Sequence, residues 1–247
     1  MQGMLKLTWI ETKLFLRDIP ATFFSLAFPL LLLVLYGIVY TNEPNAYFGG
    51  HGILDFYVPA YITLIIATNG LLFLPATLAS YREKGILLRL RATPLRPLAI
   101  LGTEIMVTFL MTVAGMILLV IVGVFVYHIH MLVNPLSMLA AFVLNCLAIF
   151  TLGFVIASLA PSARTAEFIG LLIYFPMLFL SGTTFPIKLF PPVLQQVVQF
   201  LPVTQAVNLL QGLWLGDSWG DLITPVVALV TIVVAGVIIS VRFFRWR

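Results

Sequence analysis

Charge is what this sequence has least of. Only 9% of its 247 residues are Asp, Glu, Lys or Arg, against 62% hydrophobic, and the mean hydropathy is +1.12. Soluble domains carry about a quarter charged residues. A chain this poor in charge cannot cover a surface facing water, so its solvent is lipid. Cysteine is scarce too: Cys146 stands alone inside an apolar run, which excludes an internal disulfide and any paired-cysteine metal site. The three histidines, His51, His128 and His130, fall at the edges of apolar runs with no acidic residue joining them locally, and they read as interfacial caps rather than metal ligands. Neither HExxH nor GxxxxGK[ST] occurs, so no zinc-hydrolase motif and no ATP-cradling loop is present, and no catalytic residue is assigned.

What the sequence does have is long apolar runs. A helix needs about 20 residues to cross a ~30 Å hydrocarbon core. Six runs qualify or nearly so, at residues 21–40, 55–80, 98–127, 135–158, 167–184 and 222–241. Each is continuous rather than alternating, which disfavours a membrane β-barrel and predicts helices, since backbone groups in lipid must be satisfied internally. The first run is longer than the apolar core of a signal peptide and has no small-residue cleavage site behind it, so it is expected to stay as a span. No internal repeat is evident, which leaves inverted-repeat transporter architecture without support. The whole of 1–247 reads as one transmembrane domain.

The few charges are distributed unevenly. Lys6, Lys13 and Arg17 precede the first run; Arg82, Lys84, Arg89, Arg91 and Arg96 lie between the second and third; Arg164 lies between the fourth and fifth; Arg242, Arg245 and Arg247 close the chain. Only Lys188 falls on the other side. The positive-inside bias then places both termini in the cytoplasm. The net charge of +4 belongs to membrane-flanking segments, so no nucleic-acid partner is expected. Residues 5–18 set Leu5, Trp9, Lys13 and Leu16 near one helical face, as in an amphipathic helix lying on the inner leaflet. The final RFFRWR alternates arginine with aromatics, the chemistry of a headgroup anchor. Membrane lipids are thus expected partners of both ends.

The opposite side has one long excursion, residues 184–221. Val193, Leu194, Val197, Val198 and Leu201 form a helical stripe bounded by Pro192 and Pro202, with Gln195, Gln196 and Gln199 facing elsewhere. Ten helical residues rise only about 15 Å. This piece and a second, about Thr204 to Leu215, are expected to dip into the outer leaflet and return. Ionisable groups near the spans are few: Asp55, Glu104 and Glu167, with Glu104 the most enclosed and positioned to pair with Arg164 or another arginine at the inner edge. Neutral polar groups are more numerous. Tyr61, Thr63, Thr68 and Asn69 lie in the second run, and Tyr174, Ser181, Thr183 and Thr184 lie in the fifth or at its end. Each reads either as a hydrogen bond between helices or as lining of a conduit. Prolines 29, 59, 75 and 176 can kink the runs.

The stretch YREKGILLRLRATPLRP, residues 81–97, carries five basic residues, yet Ile86, Leu87, Leu88 and Leu90 sit among them. On a helix from about Glu83 to Ala92, Ile86 and Leu90 share a face with Leu87 beside them, and Thr93-Pro94 ends it. REKGILLRLRATPL resembles the cytoplasmic-loop signature of type-2 ATP-binding-cassette (ABC) exporter permeases of the drug-resistance-like group. The stretch FLSGTTFPIKLFPPVLQQVVQFLPVTQAV is similar to the same family's pattern after the fifth span. Ile86 departs from it where the family often has Thr.

The resemblance implies an all-α integral membrane fold: six transmembrane helices, an N-terminal amphipathic interfacial helix, a cytoplasmic coupling helix and a short outer re-entrant helix pair. It implies that Arg82, Glu83, Lys84, Gly85, Leu87, Leu90, Thr93 and Pro94 couple the chain to a cytoplasmic ATP-binding subunit, which would hold the ATP and Mg, with no cofactor on this chain. It implies further a second permease copy or similar chain, a pathway where second and fifth spans face each other, export of a drug- or lipid-like amphipathic compound by alternating access, and a place in a bacterial or archaeal plasma membrane. Two other readings have distinct requirements. An ion-coupled carrier without an ATPase needs an essential intramembrane acid, for which Glu104 and Glu167 are the candidates; a lipid-acting membrane enzyme needs a nucleophile or metal cluster that the sequence does not display.

Overall fold

The computed structural model describes residues 2–40, 42–43, 50–86, 97–129 and 134–243, of which 2–6 and 97–100 are described by backbone alone. Among the described residues no strand occurs, and six helices are long and apolar enough to cross a bilayer: Ile19–Val39, Ile53–Glu83, Leu101–Tyr127, Pro135–Leu159, Ala163–Leu180 and Ile223–Phe243. A further helix, Gln2–Arg17, precedes the first span, and two shorter ones, Pro192–Val198 and Pro202–Leu215, lie between the fifth and sixth.

Local chemistry sets the boundaries. Asp18 accepts from Ala21 N with Pro20 in the first turn, and Asn134 accepts from Leu136 N with Pro135 behind it. Both are side-chain caps on otherwise orphaned amides. The fifth span starts at Ala163, four residues before the apolar run, because the Ser162 hydroxyl accepts from Thr165 N. It stops at Leu180 because Thr183 and Thr184 turn their hydroxyls back onto Leu178 O, at 2.6 and 3.0 Å.

The second span is the axis of the bundle. Of its most apolar window 78% is buried, against 11–50% for the other five. The first, third, fourth and fifth spans and the helix Pro202–Leu215 all pack on it. Two of the four prolines explain how the backbones pack. A proline ring collides with the carbonyl four residues back, and both Pro29 and Pro75 are preceded by a π-helical turn, Phe23–Ala27 and Thr68–Phe73, that widens the helix there. Phe28 N and Leu74 N bond five residues back, to Phe23 O and Asn69 O.

The carbonyls displaced by these turns point at glycines. A Cβ on Gly170 would collide with Leu71 O, one on Gly153 with Gly70 O, and one on Gly115 would lie 3.2 Å from Ser25 O. Small residues that admit a neighbouring backbone are how helices associate in lipid. Here the admitted group is a carbonyl loosened by proline, which the glycine Cα–H can meet.

The helix Pro202–Leu215 is mostly buried, Trp214 being 1% exposed, and Gly216 ends it at φ 101°. Pro192–Val198 is its opposite. Val198 is buried, but Val193 and Val197 of the expected stripe are exposed, and Gln195 turns inward to donate to Phe190 O at 2.8 Å. A seven-residue helix entered from a double proline takes its orientation from the bonds at its ends, here more than from its apolar face.

Candidate functional site

The chemistry-bearing residues fall into three groups. The first lies at the end of the second span that leads into residues 84–97. Arg82 and Glu83 are consecutive and point to either side of the turn between the fourth and fifth spans. Arg82 Nη1 donates to Ala157 O at 3.1 Å and Nη2 donates to Ala160 O, both carbonyls at the C-terminal end of the fourth span. Glu83 Oε2 accepts from Ala163 N, the first residue of the fifth span, at 2.9 Å. These groups lack intrahelical partners, and the charges suit the helix ends they meet, cation at the C-terminus and anion at the N-terminus. Lys84 is exposed and Gly85 turns the chain at φ 65°. Leu87, Leu90, Thr93 and Pro94 lie outside the described residues.

The second group sits at mid-span. Asn69 Nδ2 donates to Thr112 Oγ1 at 2.9 Å, and Asn69 Oδ1 accepts from the Ser25 hydroxyl, so one amide ties the first, second and third spans. Beside it the Thr68 and Tyr174 hydroxyls meet at 2.9 Å, tying the second span to the fifth. Thr68 also returns to Leu64 O at 2.8 Å, and Thr63 to Pro59 O at 3.1 Å. Ser25, Thr63, Thr68, Asn69 and Thr112 are each fully buried. Ser25 and Thr112 were not singled out from sequence: Thr22 shares the first run, and Thr103 and Thr108 the third, and nothing in either run marks which hydroxyl faces a neighbour.

Toward the far end, Tyr36, Tyr57 and Tyr61 form an aromatic cluster with centroids 4.9 to 6.2 Å apart. Tyr36 and Tyr57 donate to Thr184 O at 3.0 and 3.5 Å. The Tyr61 hydroxyl is buried with no partner within the described chain. Ser181 donates to Thr183 at 3.3 Å, inside the bonds that close the fifth span. The structure thus holds these polar residues in the chain's own interior. Glu104, 6% exposed, accepts from the Tyr81 hydroxyl at 3.4 Å, and Arg164 is exposed on the fifth span.

The third feature is a cleft of about 800 Å³ between the first span, the second half of the second span, and the fifth. Phe24, Phe28, Leu72, Phe73, Leu171 and Phe175 line it, and Asp18, Glu83, Lys84 and Glu167 stand at its polar mouth. Tyr174 belongs to both the cleft and the mid-span bonds. A largely apolar wall with a few convergent polar groups is the ordinary character of a small-molecule site. Among the described residues no group of three or more His, Cys, Asp or Glu is placed to hold a metal.

Comparison with known proteins points the same way. Nodulation protein J of Rhizobium leguminosarum bv. trifolii is 36% identical over 104 residues, 42% of this chain and 40% of that protein. The protein of that name from Neorhizobium galegae is 34% identical over 104 residues, again 42% and 40%. The probable multidrug ABC transporter permease YbhR of Escherichia coli (strain K12) is 26% identical over 170 residues, 68% of this chain and 46% of that protein. The chain therefore spans less than half the length of these relatives. Residues 3–215, from the N-terminal helix through the first five spans and the helix that ends at Leu215, match the family described as ABC-2 type transporter, and with six bilayer-length helices, one of them the buried axis, the chain belongs to that family.

Proposed function

We propose that the chain is the membrane permease subunit of an ABC exporter. It pairs with a second copy or a similar chain, docks a separate ATP-hydrolysing subunit through the loop that departs at Gly85, within residues 81–97, and moves a drug- or lipid-like amphipathic compound by alternating access. Both termini and the docking loop face the cytoplasm in this reading, and ATP and Mg reside on the partner. The observation that carries it is the family match across residues 3–215, which includes the docking loop. The cleft supports the cargo class, because its aromatic and aliphatic walls suit an apolar body and its charged mouth a polar head. The YbhR relative is named as a probable multidrug permease, which fits the same class. Among the polar residues of the second and fifth spans expected to line a pathway, Tyr174 also lines the cleft, and its bond to Thr68 is the one that would exchange during transport.

The test is reconstitution with any ATPase found to be co-encoded with the chain. Leu87→Asp and Leu90→Asp should leave membrane insertion intact while transport per ATP hydrolysed falls at least tenfold, about 1.4 kcal/mol of lost coupling. Transport that continues with no ATPase present would refute the reading. An ion-coupled carrier would instead lose transport on Glu104→Gln and be indifferent to the loop changes.

A further inference from the structure

We infer that Arg82 and Glu83 form a brace that fixes the turn between the fourth and fifth spans to the root of the 84–97 loop, so that a displacement of the loop is shared by three spans at once. Both side chains are expected from the family resemblance to contact the partner. Their geometry assigns them elsewhere. Arg82 occupies the carbonyl of Ala157 in the last turn of the fourth span and that of Ala160, the residue that caps it, and Glu83 occupies the first amide of the fifth, across the turn 160–162. One dipeptide therefore terminates two helices, each with the charge that complements its end. The Ser162 hydroxyl completes the second terminus at Thr165 N, 3.2 Å away, so the turn is held by side chains from within and without.

The brace also has a defined position along the chain. It lies one residue before the exposed Lys84 and two before Gly85, whose φ of 65° sets the direction in which the loop departs. Among the described residues nothing lies within 4 Å of where a Gly85 Cβ would be, so the constraint visible there is the left-handed backbone. Force that enters the second span from the loop passes Gly85 and reaches the brace before the buried Ala79 and Leu78. Arg82 and Glu83 are in this sense positioning residues. That the load comes from an ATP-hydrolysing subunit rests on the permease reading; the brace itself does not.

Hydrogen exchange on the full chain in lipid nanodiscs, with no partner present, tests the brace first. In Glu83→Ala, amides in 162–166 should exchange about fivefold faster, the change in opening expected from one lost helix cap. Arg82→Met should loosen 157–160 by a similar factor. Amides of 57–71 at the bundle axis should stay as slow as before, which shows that the variants are folded. If Arg82→Met does not fold, Arg82→Lys, which keeps one donor at the helix end, should give an intermediate change. Unaltered exchange at the turn in folded variants overturns the brace.

Transmission is then read by a cycle. Gly85→Val forces a branched side chain into left-handed backbone and distorts the loop root. Its effect should appear in 157–166 in the otherwise native chain and vanish in the Arg82→Met/Glu83→Ala background. An effect equal in both backgrounds, or absent from both, overturns the inference. In the reconstituted complex, Glu83→Ala should lower transport per ATP with the ATPase still copurifying. Loss of copurification would instead make these side chains partner contacts, against the inference, while absence of any ATPase partner would sink the permease reading and leave the exchange results standing.

Discussion

The second and sixth spans differ little as apolar sequence and greatly as parts of the molecule. Both are bilayer-length and strongly apolar, yet 78% of the second span's apolar window is buried and only 11% of the sixth's. The sixth is the more hydrophobic of the two. Hydrophobicity therefore does not place a helix within a bundle, because lipid tails satisfy an apolar side chain as well as another helix does. Features that lipid cannot satisfy draw a span inward. The second has Thr63, Thr68 and Asn69, two prolines and Gly70; Thr63 returns to its own helix, while Thr68, Asn69 and the displaced carbonyls find counterparts on neighbours. The sixth touches the bundle along one face, chiefly on the fourth span, with Pro225, Leu229 and Gly236 buried, Val226, Ile232 and Val233 partly so, and Gly236 against Thr151.

If carbonyl–glycine contact holds the axis, the largest effect comes from filling it. Gly153→Leu drives a side chain into Gly70 O and should cost about 3 kcal/mol or more, at the top of the range for overpacking. Ala235→Leu, on the exposed face of the sixth span, should change stability by less than about 0.5 kcal/mol. Monodisperse yield and thermal unfolding in one detergent would compare them, and equal tolerance would erase the distinction between the two spans. A smaller effect should follow from Asn69→Leu, which removes bonds to Ser25 and Thr112; interhelical hydrogen bonds average about 0.6 kcal/mol and reach about 1.7, so a loss of about 1–2 kcal/mol is expected. Its counterpart, Thr231→Val, removes only an intrahelical bond to Val227 O on an exposed face and should leave the melting temperature unchanged.

The same contrast explains what could be read from the sequence. Six spans were legible because length and hydropathy alone set them, and the observed ends differ from the apolar runs by a few residues where Ser162, Thr183 and Thr184 cap. The polar residues of the second and fifth spans were legible as residue types, but whether they meet one another or a conduit depends on which faces oppose, and a run apolar all round carries no such phase. Thr68 and Tyr174 are 106 positions apart in sequence, and nothing in either segment announces the pair. The π turns had a signal, since two of the expected kink prolines lie immediately after them, but the glycines that receive the freed carbonyls belong to other helices. Arg82 and Glu83 were legible as charged residues of a loop motif. Their orientation was not, because helix ends become partners only once the fourth and fifth spans stand beside the second.

The smallest effect concerns how the sixth span is held when so little of its flank is. Its entry is a turn in which the Ser218 hydroxyl donates to Asp221 Oδ2 at 2.7 Å and Ser218 N donates to the same oxygen at 3.2 Å. These bonds, the hydroxyl's first, favour the charged carboxylate and hold Asp221 below its ordinary value despite full exposure. A depressed folded-state value means that the turn's contribution is present above the unfolded carboxylate pKa and is lost as pH falls through the folded one. Ser218→Ala should therefore return Asp221 toward the ordinary aspartate value, read by a carboxyl-carbon NMR titration. It should raise hydrogen exchange in 218–222 near neutral pH and bring no change at Gly153 or Asn69. A titration that does not move would mean that the turn is closed by the backbone alone, and that the sixth span is oriented entirely by its packed face.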